Sequence, residues 1–162
     1  MKRSHLVTAI VCVAMAASGA ALAQHHGHHG MAHGKPMKHI DGRTLVEFPP
    51  GLVQHTLRNM RHHLQALEQI TSALAEGAFD RAATTAEQQL GMSSLQSHGA
   101  HEVGKFMPDG MRQAGMTMHR AASRFAIEAQ SAGVTAGSKA ALKALGEVMQ
   151  ACNACHASYR LQ

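Results

Sequence analysis

Near its C-terminus the chain reads Cys152-Asn153-Ala154-Cys155-His156, two thiols three positions apart followed at once by an imidazole. Covalent attachment of haem c needs this arrangement: each sulfur bonds one vinyl group and the histidine takes an axial iron position. A bare Cys-x-x-Cys also reads as a disulfide or as half of a zinc site. A zinc site would want a second ligand pair at a similar short spacing, and no other cysteine survives in the mature chain defined below. The sequence therefore predicts haem c at Cys152 and Cys155, with His156 as the proximal iron ligand.

The opening residues argue for export. Lys2 and Arg3 precede an apolar run from Leu6 to Leu22, and Ala21-Leu22-Ala23 offers the small residues at alternate positions that signal peptidase accepts. Cleavage is expected after Ala23, giving a signal peptide over 1–23 and a periplasmic protein. The rival reading is a membrane anchor, but the run is alanine-rich, interrupted by Ser18 and Gly19, and short for a span, so no stable anchor is expected. Removal of this segment takes Cys12 with it and leaves only the two motif cysteines. Loss of Lys2 and Arg3 lowers the formal charge from +5 to +3. With no aromatic-rich basic patch, that excess does not argue for nucleic acid, although it suits transient docking on acidic redox partners.

Residues 24–45 form an arm whose first half is dense in His25, His26, His28, His29, His33 and His39, with Met31 and Met37 among them. Glycine and proline are frequent and helical periodicity is absent, so the arm is expected to be disordered. Imidazole suits Cu, Ni and Zn and thioether suits cuprous ion, which makes weak metal binding one reading of the arm and a solubilising tail the other.

From 46 to 162 the pattern is helical. Pro50 is placed to open a first helix, and Val53, Leu57, Met60, Leu64 and Leu67 recur at spacings of four and three until about Ala75, where Gly77 ends it. A second helix is expected from Phe79-Asp80 to Leu90, followed by an irregular connection or a broken helix rich in Gly and Ser. Pro108-Asp109 open a third, with Met111, Ala114, Met118 and Phe125 on its stripe to about Ala129, and Ser131 to Gly137 as a turn. Ser138 caps a fourth, in which Leu142, Leu145, Met149, Cys152 and His156 share a side. No run reads as a strand. The predicted fold class is all-α, an antiparallel four-helix bundle with covalently bound haem c.

The run Ala151-Cys152-Asn153-Ala154-Cys155-His156-Ala157-Ser158-Tyr159-Arg160 resembles the C-terminal pattern of the cytochrome c′ family, the class II cytochromes c, in which the pentad lies on the last helix and is followed by tyrosine and arginine. The resemblance spans about Val46 to Arg160. It implies that the sixth iron position is either blocked by an apolar residue of the first helix, in gas-binding five-coordinate members, or filled by a methionine there, in low-spin electron carriers. Counting back about twenty positions from Phe79-Asp80 lands on Asn59 or Met60, and Met60 lies on the apolar stripe. Met60 is thus the expected distal ligand, with His62, His63, His98, His101 and His119 as alternatives. Where the family often has an arginine for a haem propionate, one turn earlier, this chain has Thr56, and Arg58 and Arg61 are left to serve. Members often pair through their first two helices, so the resemblance allows a homodimer.

Taken together, these residues predict a periplasmic monohaem electron carrier and no enzyme, since no nucleophile-base pair or phosphate-cradling loop is present. The alternatives are a five-coordinate cytochrome c′ binding NO or CO, and a periplasmic metal-binding protein using its His-rich arm.

Overall fold

The computed structural model describes residues 41–135 and 137–161. The signal peptide, its cleavage after Ala23, Cys12 and the arm's histidines and methionines lie outside the described residues. Within them the chain is all-α, with five α-helices and almost no sheet. In chain order they are α1 (Pro50–Ala75), α2 (Phe79–Gln89), α3 (Ala100–Gly104), α4 (Asp109–Thr135) and α5 (Lys139–Ser158). A single 3-10 turn, Met92–Ser94, lies between α2 and α3.

Local chemistry sets the ends. Pro49 and Pro50 start α1, with Pro50 in its first turn, where a missing N–H costs nothing. Gly77 stops it by adopting φ +70. There Ala78 N–H reaches Ala73 O at 2.8 Å and Gly77 N–H reaches Leu74 O at 3.1 Å, the paired bonds that satisfy a helix's last carbonyls. Ser138 precedes α5 as expected, but its side chain makes no capping bond.

Several expectations are corrected. Of the two forms expected after α2, the broken helix is the nearer, because the 3-10 turn and α3 form within the connection. Helix α4 runs past Ala129 to Thr135, so the turn expected from Ser131 is still helix. Ser131 Oγ donates to Ile127 O at 3.0 Å and Thr135 Oγ1 to Ser131 O at 3.0 Å, which satisfies both hydroxyls without breaking the helix, and Ala132 is buried there. Two strands also exist, β1 (Thr44–Val46) and β2 (Tyr159–Leu161), paired in parallel with Thr44 opposite Tyr159 and Val46 opposite Leu161. Three residues are too few to display alternation in a sequence. Their pairing also corrects the arm's boundary: Thr44 and Leu45, assigned to the arm, are paired with the segment that follows the Cys-x-x-Cys-His motif.

The helical stripes need correction too. On α1, Leu57 is partly open and Leu64 is 70% exposed, whereas Thr56, Ala66, Ile70 and Ala73 are buried. On α5, Leu142 and Met149 face outward while Ala141, Ala144, Leu145, Val148 and Ala151 face inward. The reason lies in the core. Thirteen of the nineteen buried residues in the main cluster are alanines, which let α1 pack on α2, α2 on α4 and α4 on α5 at close range. Phe125, Ile70, Leu90 and Val148 supply the bulk. A smaller cluster of Val46, Phe48, Val103 and Met111 joins β1, α3 and the start of α4.

Candidate functional site

The last turns of α5 carry Cys152 against the main core and Cys155 against the smaller one, so the motif stands where the two clusters meet. Beside it opens a cavity of about 470 Å³, within the usual range for a ligand pocket, and both thiols and His156 line it. The thiols are free and half-buried. Burial pushes both above the ordinary cysteine value, and Cys155 adds to the shift at Cys152. They therefore stand as neutral S–H groups rather than thiolates.

Helix α1 supplies another wall. Met60 and His63 both line the cavity, one turn apart on the same face of α1, and both are half-buried. Met107, Met111 and Met118 line it as well, the last two buried on the stripe predicted for α4. Ala114 and Gly115 keep that wall low, and a Cβ built on Gly115 would meet nothing within 4 Å. The result is a broad, mostly apolar space lined by methionines and small side chains, able to receive a flat ring.

His62 and Arg61 are exposed, but His63 turns inward. The connection after α2 brings His98 to it. The His98 carbonyl accepts from His55 Nε2 at 2.8 Å and from Asn59 Nδ2 at 3.0 Å, so two α1 side chains fasten the connection. The His98 ring then lies 4.7 Å from the His63 ring and 5.5 Å from that of His119 on α4. The network assigns the tautomers. Ser94 Oγ gives its proton to Gly91 O at 2.7 Å, so His98 Nδ1, at 3.4 Å, approaches it as a donor. His98 Nδ1–H also faces His63 Nε2 at 3.5 Å, the outer limit of a hydrogen bond. His119 Nδ1–H donates to Leu90 O at 2.7 Å. Burial first, then repulsion from His98, His119, His156 and His62, lowers His63 to about 3. Burial and the neighbouring imidazoles lower His98 to about 4. Both are neutral near pH 7; the His98 lone pair is on Nε2, and the lone pair of His63 Nε2 is met by His98 Nδ1–H. Of the other expected alternatives, His101 is exposed and His62 does not line the cavity.

The basic residues at the cavity also differ from expectation. Arg58 and Arg61 are exposed and do not line it; Arg43, Arg112 and Arg160 do. Arg160 Nε is buried without a hydrogen-bond partner, 3.6 Å from Asp41 Oδ2, and Thr56 Oγ1 is buried and unpartnered on the α1 wall. Unpaired buried donors beside an otherwise apolar cavity fit a ligand that brings its own acceptors, as the carboxylates of haem would. Arg43 and the β1 segment were missed because they precede the prolines; the short apolar run Leu45-Val46 ahead of Phe48 was the available signal.

Among the described residues, no three His, Cys, Asp or Glu side chains stand together as a metal site, and no helix is long and apolar enough to cross a membrane. Comparison with protein-family models, with curated proteins and with solved structures finds no match to this chain. Paired thiols, an adjacent imidazole, thioether and imidazole donors lining the same cavity, and unpartnered donors at the wall together fit haem c.

Proposed function

We propose that this protein is a periplasmic monohaem cytochrome c of the class II type, in which the helices form an antiparallel four-helix bundle around the haem and carry single electrons to and from redox partners. The observation that carries this reading is the convergence of Cys152, Cys155, His156 and Met60 on one cavity. Haem c, when bound, supplies a one-electron couple between ferric and ferrous iron.

Each residue then has a task. Cys152 and Cys155 would hold the group through two thioethers, one from each S–H added across a vinyl double bond. His156 presents its imidazole from the same helical turn, so ligand and anchors move together. Met60 offers a thioether from α1, which stabilises the ferrous state relative to a second imidazole. Ala114, Met111 and Met118 would keep water from the ring, while Arg43, Arg112 and Arg160 would meet its carboxylates.

The test is chemical. Haem should stay with the mature protein after denaturation and extraction into acidified organic solvent, and should become extractable in the Cys152→Ala, Cys155→Ala double variant. Release of haem from the unaltered protein overturns the proposal.

A further inference from the structure

We infer that α1 carries two interchangeable sixth ligands for the iron, Met60 and His63, and that His98 decides between them; the inference rests on the haem reading above. Met60 and His63 are three residues apart on one helix, the spacing that puts two side chains on the same face, and both line the cavity that His156 lines from α5. One donor would fill one coordination position. His63 is a second donor half-buried beside it, and its hydrogen-bond contact is the long one to His98 Nδ1 at 3.5 Å.

His63 is held back by its neighbour. The lone pair on its Nε2, the one an iron would take, faces the Nδ1–H of His98 at 3.5 Å. That bond is weak, since the same N–H is shared with Ser94 Oγ at 3.4 Å. The His98 backbone is held in place, because its carbonyl is fastened to α1 by His55 and Asn59, so the exchange turns on the ring alone. Gly99, which follows it, adopts φ +63, a conformation that turns the chain into α3. His98 is therefore a positioning residue. While it occupies His63, Met60 ligates; when it lets go, His63 does. Ferrous iron favours the thioether and ferric iron tolerates the imidazole better, so the redox state biases the exchange.

The experiment uses the full-length exported protein with its haem, read by ferric and ferrous absorption spectra, electron paramagnetic resonance and midpoint potential. Met60→Ala should lose the thioether-to-iron band yet stay low-spin, with a lower midpoint and no gain in carbon monoxide binding. Adding His63→Leu, which keeps an apolar side chain of useful size in the wall, should turn that variant high-spin and open to carbon monoxide. His98→Ala alone, with Met60 intact, should shift the ferric spectrum towards the bis-histidine form. If Met60→Ala is high-spin by itself, or stays low-spin after His63→Leu is added, the inference is overturned while covalent haem still stands. If His98→Ala leaves the ferric spectrum unchanged, the selecting role is overturned. Absence of covalent haem from the unaltered protein is a different result, and overturns the underlying reading.

Discussion

Arg43 Nη1 donates to the carbonyl oxygen of His156 at 3.4 Å, joining positions 113 residues apart in the chain. The bond lies next to the β1–β2 pair, in which Thr44 faces Tyr159 and Leu45 faces Arg160. The residues just before the first helix are thereby tied to the carbonyl of the proposed proximal ligand and to the two residues that follow it closely.

The tie makes a prediction about truncation. A protein starting near Lys38 keeps Asp41 to Val46 and should retain the visible spectrum and midpoint potential of the mature form. One starting at Glu47 loses β1, and with it Val46, which is buried against Phe48, Val103 and Met111. Burial of a valine contributes about 1.5–3 kcal/mol, so the shorter protein should unfold at lower denaturant by at least that amount. Equal denaturant midpoints for the two truncations would show that β1 adds nothing.

Charge near the cavity gives the second prediction. Arg43 and Arg160 are cavity-lining cations, and removing a positive charge beside haem favours the ferric state. Arg43→Ala and Arg160→Ala should each lower the midpoint potential, and the shift should shrink with added salt for the more exposed Arg43. Arg58→Ala, on the exposed face of α1, should leave it in place. A potentiometric titration in which Arg58→Ala moves the midpoint and the other two do not would return the carboxylate role to the position expected from the sequence.

Much of this was legible in the sequence because it depended on local rules. The helix starts at Pro50 and after Pro108, the stop at Gly77, and the pentad on the last helix follow from backbone geometry and from spacing. The helix faces were less legible. A stripe is usually traced through large apolar residues, yet here the tight faces are made of alanine, so Leu64, Leu142 and Met149 drew the line to the wrong side. The imidazole cluster was less legible still, because His63, His98 and His119 come from three elements and meet only through tertiary packing.

The corrected faces can be tested by a pair of substitutions with opposite expectations. Leu64→Gln should change stability by no more than about 0.5 kcal/mol, as for an exposed position. Ala122→Leu, by contrast, adds bulk where the side chain is fully buried in the alanine-rich core. It should destabilise by about 1–3 kcal/mol through overpacking. Urea melts of the two variants decide the register; a large loss for Leu64→Gln would put that residue back in the core.

The buried imidazoles should also make stability depend on pH. His63 and His98 are lowered to about 3 and about 4 in the folded protein, against an ordinary value of 6.5. Between those limits the unfolded chain binds protons that the folded chain refuses, so stability rises with pH. It is complete above about pH 6.5, where both states are neutral, and falls as the solution is acidified towards the folded values. His63 is mostly buried, and each unit of pH through this window should remove up to about 1.4 kcal/mol on its account. His98 is half-open to water, and its share is smaller. Iron ligation by His63 would oppose protonation further and leave the sign unchanged. Urea melts at pH 7.5, 6.5, 5.5 and 4.5 should show this decline, and His63→Leu should flatten it. A protein as stable at pH 4.5 as at 7.5, or an equally steep decline in the variant, would mean that His63 is not the buried neutral group lining the cavity.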